Sequence, residues 1–122
     1  MESDELKIGT FNIRTTAVGN TGRLRWNRRR HIIESLIRRE DPDILALQEV
    51  ANRTHGIPHD VDQLRWLHET FPQLEVAVGT VPHELPSDNP ILVRKELFES
   101  LERGYLAFDE EGRVIGEGVD PR

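Results

Sequence analysis

Cysteine is absent from the 122 residues. That excludes a disulfide framework, a thiolate nucleophile, an iron–sulfur cluster and a cysteine zinc site, so any metal must be held by oxygen or imidazole. Long apolar runs are absent too: none approaches the roughly 18 consecutive apolar residues of a spanning helix. Met1 to Gly9 has neither the basic nor the apolar region of a secretory signal, so the expected address is cytoplasmic. Aromatic residues are only 6% of the chain. What remains is 36% apolar and 31% charged, with 16 Lys and Arg against 22 Asp and Glu for a net charge of −6. That balance reads as a globular segment of one domain, residues 1–122, not as a disordered or membrane chain.

The acidic total hides an asymmetry. Residues 1–53 hold 10 basic and 8 acidic side chains, while residues 54–122 hold 6 and 14, giving +2 and −8. Arg14 to Arg39 contains eight arginines against the single acid Glu34. It is the only stretch with the electrostatic footprint of a polyanion contact, although a solvated helix face gives the same pattern.

Leu6 to Asn12 predicts a first strand with Asn12 at its C-terminal end. Trp26, Ile32, Ile33, Leu36 and Ile37 recur at helical spacing and predict a helix over 25–39, stopped by Asp41-Pro42. Ile44 to Leu47, closed by Gln48-Glu49-Val50, reads as a strand covered on both faces. Asp60 and Gln63 suggest a capping box opening a second helix through Leu64, Leu67 and Phe71, ended by Pro72. Leu74 to Val78 alternates like a strand, 82–90 is a loop with three prolines, and Ile91 to Val93 is another strand. Phe98 to Phe108 reads as a further strand, turned by Asp109 to Gly112 into a hairpin with Val114-Ile115. The order is an α/β start running into a β meander.

If the first two strands are neighbours, Asn12 and Glu49 converge at one edge of the sheet, where α/β proteins concentrate ligand sites. A carboxylate and a carboxamide are oxygen donors of the kind a hard divalent cation takes, with water and phosphate completing the shell. A solvated strand end with a capping glutamate fits the same spacing. His55, His59 and His83 would make at best a loose imidazole site in loops, against the plainer reading of surface residues. His31 and His68 read as exposed helix positions, and Trp26 and Trp66 as core. No serine suggests a triad, and Val18 to Arg23 lacks the Lys-Ser/Thr ending of a phosphate-binding loop.

The literal strings go further. Thr10-Phe11-Asn12-Ile13-Arg14, Trp26-Asn27-Arg28-Arg29-Arg30 and Pro42-Asp43-Ile44-Leu45-Ala46-Leu47-Gln48-Glu49-Val50 resemble, in order and spacing, the N-terminal half of the endonuclease/exonuclease/phosphatase superfamily. These are metal-dependent phosphoesterases that include deoxyribonuclease I and exonuclease III. Asp62-Gln63-Leu64, Val78-Gly79-Thr80 and Asn89 to Glu99 look like later landmarks of a bacterial branch, so the resemblance runs from about Leu6 to about Tyr105. It implies an α/β (α+β) fold, the N-terminal half of a four-layer α/β-β/α sandwich, which left incomplete exposes the inner face of its sheet.

By this resemblance Glu49 is the principal magnesium-binding carboxylate, and Asn12 helps position metal and phosphate. Mg2+ is the implied cofactor, with Mn2+ as its substitute, and the implied substrate is a phosphate ester, either nucleic acid or a small phosphoester. Arg14 stands where some members carry a metal-binding aspartate; an arginine cannot ligate a cation, so its role is phosphate contact. Gln48 is a candidate to orient Glu49, or else a structural amide at a strand end. A later Thr-His strand, an Asp-x-Asn loop and a terminal Asp-His pair, which the family's hydrolysis also uses, do not occur among these residues. The expectation is therefore an N-terminal fragment inactive alone, its C-terminal half lying in the full-length protein. The alternatives are a non-catalytic binding module acting through the arginine helix and half of a split enzyme completed by a partner chain.

Overall fold

A computed structural model of the chain describes residues 5–17, 19–22, 25–52, 58–78, 88–99, 101–102 and 104–119. Four strands form one sheet in the order β1 (Ile8–Asn12), β2 (Ile44–Gln48), β4 (Ile91–Arg94), β3 (Leu74–Val78). β1 and β2 are parallel, with Ile8 opposite Ile44 and Asn12 opposite Gln48; β4 runs antiparallel to both β2 and β3. A parallel pair needs a crossover, supplied here by α1 (Trp26–Glu40), while α2 (Gln63–Thr70) lies between β2 and β3 in the chain. A separate two-stranded sheet pairs β5 (Gly104–Phe108) with β6 (Val114–Val119).

The elements begin and end where local chemistry requires. α1 is entered through Asn20, whose Oδ1 accepts the Trp26 N–H at 2.7 Å. It ends on Asp41, which turns left-handed (φ 44°) so that its N–H reaches the Ile37 carbonyl at 2.8 Å. Arg38 and Arg39 occupy the last turn, where positive charge complements the helix dipole. The expected capping box shifts by two residues. His59–Val61 is a short 3-10 turn, and Asp62 caps α2 by accepting the Arg65 N–H at 2.9 Å. Gln63 is thereby the first helical residue, and its side chain does not reach back to a cap. The expected strand from Phe98 starts only at Gly104, and its hairpin turn contains Gly112 at φ 81°. Most of the three-proline loop lies outside the described residues.

The core lies between the helices and one face of the sheet. Trp26, Ile33 and Ile37 of α1 and Leu67 of α2 pack with Phe71, Leu74, Leu45, Leu47 and Leu92. Trp26 is 1% exposed and meets Trp66 edge-to-face at 5.0 Å, so both indoles are packing groups, as their helical spacing suggests. His31 and His68 are exposed. β2 is not covered on both faces: Leu45 and Leu47 are buried, but Ile44, Ala46 and Gln48 alternate with them on a half-exposed face. Ile8, at 67% exposed, and Ile91, at 36%, continue that open face across β1 and β4. The apolar run Ile44 to Leu47 has no period of its own, so it could not reveal that only one side is packed.

The sheet edge opposite the C-terminal ends of β1 and β2 is sealed by ions. Arg94 donates to Asp43 Oδ1 at 3.1 Å, to Asp41 Oδ1 at 2.8 Å and to the Asp41 and Pro42 carbonyls at 3.0 and 3.2 Å. Its side chain is only 14% exposed. The Lys7 backbone N–H donates to Asp43 Oδ2 at 2.9 Å, tying β1 to the same cluster. That bond first, then Arg94, holds the Asp43 carboxyl below its ordinary range, and the two aspartates hold the Arg94 guanidinium above its own. Because the folded Asp43 carboxyl is the stronger acid, its contribution is complete above the ordinary carboxylate range of about 4 and is lost as pH falls below it. Arg94→Met should lower stability in urea unfolding by about 2 kcal/mol, the scale of losing hydrogen bonds between charged groups in a cluster where Asp43 is 17% but Asp41 68% exposed. Asp43→Asn should flatten the acid limb of the stability–pH curve.

Candidate functional site

β1 and β2 deliver Asn12 and Glu49 to one edge. Asn12 is the register partner of Gln48, Glu49 follows one residue on, and the Ile13 N–H continues the ladder by donating to the Gln48 carbonyl at 3.1 Å. Both strands then leave through left-handed residues that are not glycine, Arg14 at φ 58° and Glu49 at φ 59°. Such backbone is disfavoured for a residue with a Cβ and persists only where surrounding contacts determine it.

Those contacts are present. Asn12 Oδ1 accepts the Arg14 N–H at 2.9 Å, which fixes the turn and leaves the carboxamide N–H groups at an exposed position. Glu49 donates its N–H to Asn89 Oδ1 at 3.3 Å, and its Oε2 accepts the Thr15 N–H at 3.3 Å. The carboxylate is half-buried, with Oε1 beyond that contact. Gln48 Nε2 donates to Thr10 Oγ1 at 3.0 Å and to the Ala46 carbonyl at 3.3 Å, bracing the end of β2 across the open face.

Positive charge gathers beside the pair. Arg29 of α1 donates through Nη1 to the Ile13 carbonyl and through Nη2 to the Arg14 carbonyl at 3.1 Å, with its guanidinium 5.3 Å from the Trp26 ring centroid. Burial, and after it the charge of Arg14, lowers the Arg29 pKa from its ordinary value. Two guanidinium groups near one strand end favour an anion there. Arg14 itself is exposed, has no ion pair among the described residues, and lies against Gly19. Thr15, Arg29, Gln63 and Asn89 support the site without having been marked out in it by sequence. Arg29, Gln63 and Asn89 fall within the family-like strings with no role at the site, and Thr15 leaves no trace there.

One carboxylate and one carboxamide match a cation that keeps water and phosphate in its shell, as magnesium does, and not a closed protein cage. Among the described residues no three His, Asp or Glu side chains converge. The triple-histidine possibility lies outside them: His55 and His83 are not described, nor is the side chain of His59.

The mixed α/β sheet thus carries oxygen donors and arginines where two adjacent parallel strands end, the edge at which open α/β sheets collect ligand sites. Residues 9–116 match the Endonuclease/Exonuclease/phosphatase family, and the chain belongs to that family, which is of phosphoesterase and nuclease type. The match reaches into β6, past the point near Tyr105 where the string resemblance fades. No curated protein and no solved structure matches the chain. No helix among the described residues is long and apolar enough to cross a membrane.

A Cβ on Gly19, whose φ is +62°, would stand 2.9 Å from Arg14 Nη2. Gly19→Ala should therefore destabilise the chain by about 1 kcal/mol in urea unfolding, through both the backbone and the displaced guanidinium.

Proposed function

We propose that the chain supplies the cation- and phosphate-binding edge of a metal-dependent phosphoester hydrolase. The observation that carries this reading is the parallel register that sets Asn12 and Glu49 side by side, in a chain of this family. Glu49 would hold Mg2+, or Mn2+ in its place, through the carboxylate oxygen directed away from Thr15. The bound cation would supply Lewis-acid polarisation of the phosphate and stabilise charge on the leaving oxygen. Asn12 orients the phosphate through its carboxamide, while Arg14 contacts a phosphate oxygen from the flank and holds negative charge at the edge. Gln48 acts indirectly, keeping the end of β2 against Thr10 so that Glu49 leaves the strand at a fixed point.

The groups that activate water in this family belong, in this reading, to a further segment or to a second chain seated on the open face of Ile8, Ala46 and Ile91. Residues 1–122 are then one partial domain without hydrolytic activity alone, working in the cytoplasm on a nucleic acid or a small phosphoester. The exposed Arg25 and Arg28 at the start of α1 favour a second reading, a non-catalytic module that grips a polyanion. Its affinity would fall steeply with salt and would not depend on Glu49.

Titration of the chain with Mn2+, followed by electron paramagnetic resonance, tests the first reading. Glu49→Gln should abolish saturable binding and Asn12→Ala should weaken it several-fold. Saturable binding that survives Glu49→Gln would refute the site.

A further inference from the structure

Gln63 has no solvent exposure, although it is a polar residue at the first position of a helix. Its side chain joins the two segments that leave β1 and β2. Nε2 donates to the Arg14 carbonyl at 2.8 Å, and Oε1 accepts the N–H of Thr16 at 3.3 Å and of Ala51 at 2.8 Å. Both lone pairs of the amide oxygen are thereby occupied, by amides from two different loops. The backbone reinforces the join: the N–H groups of Gln63 and Leu64 both donate to the Ala51 carbonyl, at 3.0 and 3.3 Å.

The three bonds flank the Asn12–Glu49 pair closely. Arg14 and Thr16 lie on either side of Thr15, whose N–H meets Glu49 Oε2, and Ala51 lies two residues after Glu49. Whatever sets the spacing between the Arg14–Thr16 segment and Ala51 therefore sets whether the Thr15 amide reaches the Glu49 carboxylate. We propose that Gln63 is a positioning residue for the Glu49 site, its buried amide locking the β1 and β2 exit loops together so that the carboxylate is held in a cation-binding orientation. The inference rests on the reading of Glu49 given above. No purely apolar side chain could replace the amide without leaving the Thr16 and Ala51 N–H groups unpaired in the interior. The shape could be conserved by methionine, which makes the hydrogen bonds separable from packing.

The test compares Mn2+ binding by the 122-residue chain, Gln63→Met and Leu74→Ala, each verified as folded by its amide spectrum. Leu74 is buried in the same core but starts β3, opposite Arg94 at the far sheet edge. Gln63→Met should weaken Mn2+ affinity about 10-fold, the scale of losing an outer-shell support, while Leu74→Ala keeps the parental affinity. Equal affinity in Gln63→Met, or an equal loss in Leu74→Ala, would overturn the positioning role. Absence of Glu49-dependent binding in the parent chain would instead overturn the underlying site and the positioning role with it. Amide hydrogen exchange on the unaltered chain gives a second reading that needs no variant. The Thr16 and Ala51 amides should be protected to the level of Leu45 and Leu47 in β2, and exchange at loop rates would overturn the lock even if Mn2+ binds.

Discussion

The parallel pairing of β1 with β2 is the constraint on which the remaining structure depends. An antiparallel partner would have carried Glu49 to the opposite edge of the sheet from Asn12. Parallel register, from Ile8 opposite Ile44 to Asn12 opposite Gln48, brings both exits to one edge and requires a crossover such as α1 between the strands. α1 then covers the face formed by Gly9, Phe11, Leu45 and Leu47, and its first turn brings Arg29 over the exit of β1. Packing and site geometry thus share one cause.

The two ends of this parallel pair have opposite characters. At the N-terminal end of β2, charge is matched: Arg94 lies among Asp41, Asp43 and the adjacent carbonyls, and Lys7 pairs with Glu40 at 2.9 Å. At the C-terminal end, Arg14 and Arg29 lie close enough for one charge to depress the pKa of the other, and two residues take left-handed backbone without being glycine. A matched cluster presents little field outward, whereas two neighbouring guanidinium groups favour an incoming anion.

Sequence disclosed the frame and the pair, but not what holds the pair. The helical spacing of Trp26, Ile33 and Ile37 and the runs Ile8 to Phe11 and Ile44 to Leu47 located α1, β1 and β2, because burial imposes a period or an apolar run on the residues it selects. The family resemblance likewise marked Asn12 and Glu49. The covering of β2 was misjudged, since an unbroken apolar run looks the same whether one or both faces are packed. The start of β5 was misplaced because Phe98 and Leu101, which extended the apolar pattern, precede the paired residues. Gln63 was invisible as a support. Its spacing from Asp60 fitted a capping box, and only the 3-10 turn at His59–Val61, which moves the cap to Asp62, turns the amide inward. Long-range hydrogen bonds from a side chain to loop backbone leave no periodic trace in sequence.

The conformations of Arg14 and Glu49 show why such supports are needed. A left-handed residue bearing a Cβ costs on the order of 1 kcal/mol or more, and two adjoining ones would relax if the exits were free. Asn12 fixes the first turn from within by accepting the Arg14 N–H, while Arg29 and Gln63 fix it from outside by donating to the Arg14 carbonyl. The second is fixed by Asn89 at the Glu49 N–H and by Gln63 at Ala51. Each strained residue is therefore held by side chains from elements far away in sequence, α1, α2 and the approach to β4. A carboxylate so constrained has few orientations to lose when a ligand binds, which lowers the ordering cost of association. Its contact with Thr15 involves Oε2, so on the proposed reading Oε1 would meet a cation without that hydrogen bond breaking.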